Sequence, residues 1–330
     1  MSAAKDGPRK PANRQDLRPV RISIIGAGNV GATTAYAVLL SGLAAEIVLV
    51  DVNNEKAEGE AMDLSHAAPN THQTRIISGD YDACAGSSVV LITAGANQKP
   101  GQTRMDLLQI NAGIFKDIIP KVAKAAPEAI LVVAGNPVDV LTYVSWKLSG
   151  FEKHRVIGSG TMLDTARFRY ELGQHYQVDP RNIHADIIGE HGDTELPVWS
   201  QASIVGMRLQ DYCRQSGQKY NHEAMVKCFQ ETKNAAYEII KRKKMTDKGI
   251  AAALMRLVET ILRDENTLLT VSTVGTHGGV SGVSLSVPVK VNRTGAHYVL
   301  DPELSGEEKA ELEKSAKNIK ANIDSVDLGK

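Results

Sequence analysis

Cysteine is scarce in this 330-residue chain: Cys84, Cys213 and Cys228 are odd in number, and none stands in a CxxC pair. That excludes a disulfide framework and a zinc knuckle, which need paired or clustered thiols. Cys84 is expected to pack in the core. Surplus charge is missing as well, with 38 Lys+Arg against 38 Asp+Glu. A chain without net charge has no overall attraction for nucleic acid or an anionic membrane, so any charged ligand has to be read by local residues. Nor does any run approach the roughly 18 apolar residues of a membrane span, and no apolar segment near the start would serve as a secretory signal. The expectation is a cytoplasmic protein with no nucleic-acid partner, no membrane partner and no metal site.

What the chain does contain is enough length for a sizeable core and for two lobes of about 150 residues each. Residues 1–19 are rich in Pro, Lys and Arg and carry almost no large apolar side chain. Such a segment cannot bury enough surface to fold by itself. It reads as a disordered tail; the alternatives are an arm docking on a neighbouring subunit or a transit peptide, the last disfavoured by a lone Ser and the lack of an amphipathic pattern. From residue 20 the pattern changes: VRISII leads into Gly26-Ala27-Gly28-Asn29-Val30-Gly31 and then into a helical TTAYAVLLSGL. Strand before and helix after give the GxGxxG spacing its meaning. Gly26 permits the tight turn, Gly28 lets the backbone approach a pyrophosphate, Gly31 lets helix and strand pack closely, and the helix N-terminus favours the anion. A second strand, EIVLVDV, ends in Asp51. An acid there accepts hydrogen bonds from ribose hydroxyls and repels a 2′-phosphate, which favours NAD over NADP.

Nearly uninterrupted apolar runs at residues 87–95 and 129–135 are of the kind a parallel sheet covered on both faces requires. With helical segments between them, they predict an α/β fold: a Rossmann-type doubly wound parallel sheet over residues 20–160. Ligands would lie at the carboxyl ends of its strands, where Gly95, Ala96 and Asn136 stand. The polar stretch NQKPGQTR, residues 97–104, lacks apolar anchors and could close over a site as a lid. Beyond residue 160, longer helices and antiparallel-looking strands predict an α+β substrate-binding and catalytic lobe, 161–330. Helices are expected over residues 221–244 and 247–263. A last helix opens with a capping box of Ser305 and Glu308 and packs Leu312, Ala316, Ile319, Ile323 and Val326. Lys241-Arg242-Lys243-Lys244 resembles a basic localisation patch, but at a helix end it reads better as a solvated cluster complementing the dipole. The segment THGGVSGVSL is unusually rich in glycine, and the sequence offers no reason for it.

Chemistry centres on DIIGEHGDTELP, residues 186–197, with His191 between a short apolar run and a glycine-acid turn. Histidine has an unperturbed pKa of about 6.5, raised by a nearby carboxylate, so it suits general acid–base work. A lone histidine is more often a structural turn residue. Three other places tip the reading toward chemistry: Asp164 and Arg167 in GSGTMLDTARFR, Arg104 in NQKPGQTRMDL, and the glycine turn. Together they supply a proton, a carboxylate clamp, a mobile cation and a dinucleotide site.

On these residues the chain resembles the L-lactate and malate dehydrogenase family, and within it the bacterial L-lactate dehydrogenases. The resemblance runs from about residue 20 to the C-terminal helix and rests on IGAGNVG, VDVNNEKAEGEAMDL, TAGANQKPGQTRMDL, NPVDVLTY, GSGTMLDTARFR and IIGEHGDTELPVWS. It implies hydride transfer between the nicotinamide of NAD and C2 of a 2-oxo or 2-hydroxy acid, with His191 as proton donor and acceptor. Asp164 would fix the imidazole tautomer, Arg167 would hold the substrate carboxylate through a bidentate pair, and Arg104 would stabilise charge on the C2 oxygen. Implied too are Asn136 beside that oxygen, Thr246 in the substrate pocket, and Val30, Lys56, Tyr81, Gly95 and Ala96 around the dinucleotide with Asp51. A homotetramer belongs to the same resemblance.

Gln98 occupies the position where an arginine resembles the malate enzymes. A neutral amide there would leave the second carboxylate of oxaloacetate buried without a counter-charge, at a cost of several kcal/mol, so pyruvate and L-lactate are the expected substrate pair. Malate dehydrogenase, or another 2-hydroxy acid dehydrogenase, is the alternative. Lys244-Met245 replaces the smaller Gly-Ala usual in the family before Thr246, and Gly135 stands where Thr or Ser is common. From a different class, a non-catalytic NAD-binding sensor would not need His191, Asp164, Arg104 and Arg167 together. Arg169 and His184 match positions that carry these residues in bacterial lactate dehydrogenases responding to fructose 1,6-bisphosphate, where two subunits surround the sugar phosphate. That effector is an expectation, against the alternative of two ordinary surface side chains.

Overall fold

The computed structural model describes residues 19–96, 101–300 and 302–328. The segment 1–18 and Asn97, Gln98, Lys99 and Pro100 lie outside the described residues, and with them the expectations for the tail, the lid and the substrate-reading glutamine. In chain order the first half runs β1 (Arg21–Ile25), α1 (Asn29–Ser41), β2 (Glu46–Val50), α2 (Asn54–Ala67), β3 (Arg75–Ser78), β4 (Val89–Ile92), α3 (Arg104–Ala125), β5 (Ile130–Val133), α4 (Val138–Ser149) and β6 (Val156–Gly158). These strands are all parallel, in the order β3-β2-β1-β4-β5-β6. This is the doubly wound arrangement, and the winding reverses between β1 and β4, where such sheets open a crevice at their carboxyl ends.

The second half runs α5 (Met162–Tyr176), β7 (Ile183–His184), β8 (Ile187–Ile188), β9 (Leu196–Pro197), β10 (Ser203–Ile204), β11 (Met207–Arg208), α6 (Leu209–Ser216), α7 (His222–Lys243), α8 (Lys248–Leu262), β12 (Thr267–His277), β13 (Val280–Asn292), β14 (Gly295–Val299) and α9 (Gly306–Asp324). Its long antiparallel strands do not form a separate sheet. They extend the parallel one past β6, through the single pair Ser272 and Gly158, to nine strands in all. An uncovered β6 would present a row of unpaired backbone groups, and β12 covers it.

Alternation along each strand buries both faces of the sheet. Ile25, Val48, Ile92 and Val133 pack with Phe115 of α3, Leu141 of α4 and Ile319 of α9. Their neighbours Ile24, Leu49, Leu91 and Val132 pack on the opposite side with Leu39 of α1, Leu64 of α2 and Leu254 of α8. A third, smaller core joins α5, α6 and α7 through Phe168, Cys213 and Met225. All three cysteines are buried, Cys84 among them. The capping box at Ser305 and Glu308 opens α9, and Leu312, Ala316, Ile319 and Ile323 are buried along it, with Val326 buried just past its end. The glycine-rich THGGVSGVSL turns out to be the β12–β13 hairpin. Gly278 and Gly279 have φ of 52° and 76°, as a two-residue turn with both central residues left-handed demands.

Candidate active site

The dinucleotide end of the crevice follows from backbone geometry. Gly26 has φ 105°, and a Cβ there would lie 2.6 Å from the Ala94 nitrogen; a Cβ on Gly31 would lie 1.9 Å from the Gly26 carbonyl oxygen. Strand, turn and helix therefore interlock only as glycine. Gly28 differs, because nothing lies within 4 Å of a Cβ built on it, and it precedes the first turn of α1 with no side chain capping the helix. The loop is closed behind and open in front, and the N–H groups of the first turn of α1 have no acceptor among the described residues, which fits a pyrophosphate. Because β1 and β2 are neighbours, Asp51 reaches this loop: its Oδ2 accepts the Ala27 N–H at 2.7 Å and its Oδ1 accepts that of Asn53 at 2.9 Å. Carboxylate oxygens accept more than one hydrogen bond, so capacity for ribose hydroxyls remains.

The structure sets Val30 in the first turn of α1 and Lys56 in the first turn of α2. Tyr81 is half-buried, its hydroxyl pushed above its ordinary pKa by burial, with Asp51 among the charges it senses. Gly95 and Ala96 leave β4, and Asn136 leaves β5. A residue that the motifs did not single out ties them together. Asn111, 1% exposed on α3, accepts the Ala96 N–H at 2.7 Å and donates to the Asn136 carbonyl at 2.6 Å.

The proton end is assembled from distant segments. Thr161 Oγ1 donates to the Ile187 carbonyl at 2.6 Å and Thr165 Oγ1 accepts the Ile187 N–H at 3.0 Å, so the start of α5 is stapled to β8. This aligns Asp164 of α5 with His191 on the turn after β8. Asp164 Oδ2 meets His191 Nδ1 at 2.5 Å, and Oδ1 accepts from Arg167 Nη1 at 3.2 Å. The Asp164 side chain is 4% exposed, that of His191 29%. Burial alone would raise the Asp164 carboxyl, but His191 and Arg167 outweigh it and hold the group below the usual carboxylate range. In return, the Asp164 charge lifts His191 to about 9 against the effect of burial. With Nδ1 committed to Asp164, Nε2 is the ring nitrogen left for a substrate.

Behind the histidine stands Asp139 of α4, also unforeseen from the motifs. It is 1% exposed and accepts the His191 backbone N–H at 2.7 Å and the Ser272 hydroxyl at 2.6 Å. Burial pushes its pKa up to about 6 in spite of these donors. An acid inside the otherwise apolar VDVLTYV was the available signal. Arg104, the first residue of α3, is held on the same turn as His191: it pairs with Asp193 at 2.5 Å and contacts the Tyr237 hydroxyl of α7 at 3.1 Å. Lys233, one turn earlier on α7, donates to the Asp193 carbonyl at 2.9 Å. Thr246 lies on the turn between α7 and α8, two residues after Lys244, whose φ is 70°.

Arg169 and His184 do come together, lining a cavity of about 610 Å³ with Asp186, Gln201 and Leu268. Arg169 is already engaged there, with Asp186 at 2.6 Å and the Ala185 carbonyl at 3.1 Å.

Residues 20–158 match the family described as lactate/malate dehydrogenase, NAD binding domain, and residues 161–327 match lactate/malate dehydrogenase, alpha/beta C-terminal domain. A probable L-lactate dehydrogenase of Schizosaccharomyces pombe is 56% identical over 312 residues, 94% of this chain and 94% of that protein. L-lactate dehydrogenase 1 of Clostridium acetobutylicum is 51% identical over 308 residues, 93% and 98% of the two chains. Among solved structures, the minor L-lactate dehydrogenase from Enterococcus mundtii in a ligand-bound form superposes with a TM-score of 0.90 at 41% identity, covering 94% of this chain and 99% of the other.

Proposed function

The chain belongs to the lactate/malate dehydrogenase family, NAD-dependent oxidoreductases acting on a CH–OH group, and from that premise we propose that it interconverts pyruvate and L-lactate with His191 as proton donor and acceptor. The observation that carries the proton role is the Asp164 carboxylate shared between His191 and Arg167. Bound at the glycine loop, NAD supplies or takes the hydride. Arg167 engages Asp164 through one edge, and the rest of its guanidinium is available to a substrate carboxylate. That places the substrate carbonyl beside His191, which is protonated at neutral pH. In pyruvate reduction Nε2 gives its proton to the C2 oxygen as the hydride arrives at C2; in lactate oxidation neutral His191 takes that proton back, and Asp164 stabilises the resulting imidazolium.

Arg104 would turn from Asp193 to the C2 oxygen. The Arg104–Asp193 pair is exposed, 56% and 70%, and such pairs contribute about 0–1 kcal/mol. Exchanging it for a developing alkoxide in a site closed to water is therefore favourable. Gln98 selects pyruvate over oxaloacetate by giving a second carboxylate no counter-charge. The chain in this reading works in the cytoplasm as a homotetramer, with fructose 1,6-bisphosphate taking Arg169 from Asp186 beside His184 and lowering the apparent KM for pyruvate by favouring one tetramer state. Among the described residues, no helix is long and apolar enough to cross a membrane.

NADH oxidation with pyruvate and with oxaloacetate, side by side, tests the substrate. Pyruvate should win in kcat/KM by roughly a hundredfold or more, and Gln98→Arg should shift the ratio toward oxaloacetate. A preference for oxaloacetate in the unaltered chain would overturn the substrate assignment.

A further inference from the structure

Four residues beyond His191 on the same turn, Glu195 is only 8% exposed. Among the described residues no hydrogen bond reaches its carboxyl group, yet a carboxylate oxygen of Glu195, one of Asp164 and a ring nitrogen of His191 all lie within 4.8 Å of one another. A buried carboxyl without a hydrogen bond opposes folding, so packing alone gives no reason for an acid here. Nor is this a cation site in need of an ion: the Arg167 guanidinium, 3.2 Å from Asp164, already supplies the positive charge. The charged groups facing Glu195 are Asp164 and Arg167 on α5, Lys233 on α7 and His191 on its own turn. Asp139 on α4 also acts on the histidine and accepts its backbone N–H.

We propose that Glu195 is a positioning residue for the proton transfer, a second carboxyl group that joins Asp164 in holding the proton on His191 at alkaline pH. The proposal rests on His191 as the proton carrier. Burial and the Asp164 charge push Glu195 up to about 8, so it is neutral when His191 is fully protonated and becomes an anion as pH approaches the range where His191 would lose its proton. The new negative charge favours the imidazolium. Pyruvate reduction, which needs that imidazolium, therefore persists to higher pH than Asp164 alone would allow.

The test is kcat/KM for pyruvate against pH, at saturating NADH, for the unaltered chain, Glu195→Gln, Glu195→Ser and His191→Asn. The loss in the Glu195 variants should grow with pH, from about twofold near pH 6.5 to about tenfold near pH 9.5, with the alkaline limb displaced downward. A loss that is equal at every pH, or an alkaline limb that stays in place, overturns the proposal. So does failure of both Glu195 variants to fold and bind NADH, since that is the mark of a structural residue. His191→Asn separates the two levels: a variant as active as the unaltered chain removes the proton role of His191 itself. An inactive one beside unshifted Glu195 limbs removes only the role of Glu195.

Discussion

At the dinucleotide end of the crevice the loop and its acid come from residues 26–51 and are held by backbone: Gly26 against Ala94, Gly31 against Gly26, Asp51 on the Ala27 N–H. At the proton end, Arg104, Asp139, Asp164, Arg167 and His191 arrive from three helices and a turn, and each carboxyl or imidazole is held by groups brought by another segment. The first end is a shape, set by which residues can be glycine. The second is a set of coupled charges, in which Asp164 is pushed down while His191 and Asp139 are raised to about 9 and about 6. A change of charge should therefore damage the second end and spare the first, and a change of volume at the loop should do the reverse.

Substitution of the proton carrier gives the largest separation. His191→Asn should lower kcat/KM for pyruvate by about 10³-fold while the NADH dissociation constant, read from fluorescence, stays within about twofold. An equal loss in both would mean that the two ends are not independent. Gly31→Ala strikes the other end, because its methyl group would sit 1.9 Å from the Gly26 carbonyl oxygen. The strain should cost about 1–3 kcal/mol, seen as about tenfold weaker NADH binding and a lower melting temperature. The pH profile of the residual activity should not move. The smallest effect belongs to a residue outside both ends: Lys244 holds φ 70° at the end of α7, and Lys244→Gly should stabilise the chain by about 0.5 kcal/mol in urea unfolding.

This contrast also explains what the chain disclosed before its structure was known. The loop around Gly26 and Asp51 was legible because its requirements are local: a strand, glycines at fixed spacing, an acid at the end of the next strand. His191, Asp164 and Arg167 were legible as members of motifs, and the structure brings His191 and Arg167 each within hydrogen-bonding distance of Asp164. Asp139, Asn111 and Tyr237 were not, since each acts on a segment remote in sequence. Asn111 matters only because α3 runs beside the ends of β4 and β5, and Tyr237 only because α7 lies over the turn of His191. The pairing of β12 with β6 was hidden for a related reason, as nothing within either strand names its neighbour.

The central claim is that the Asp164 carboxylate keeps His191 protonated for transfer to the substrate. Asp164→Asn tests it most directly, through the pH dependence of kcat/KM for pyruvate beside the NADH dissociation constant. In the unaltered chain the rate should fall as pH rises through about 9, where His191 loses its proton. Without the anion the histidine pKa should drop toward its unperturbed value of about 6.5, moving the alkaline limb down by about two units and lowering the rate near pH 8 by about tenfold, with NADH binding intact. An alkaline limb that stays near pH 9 in Asp164→Asn would contradict the account.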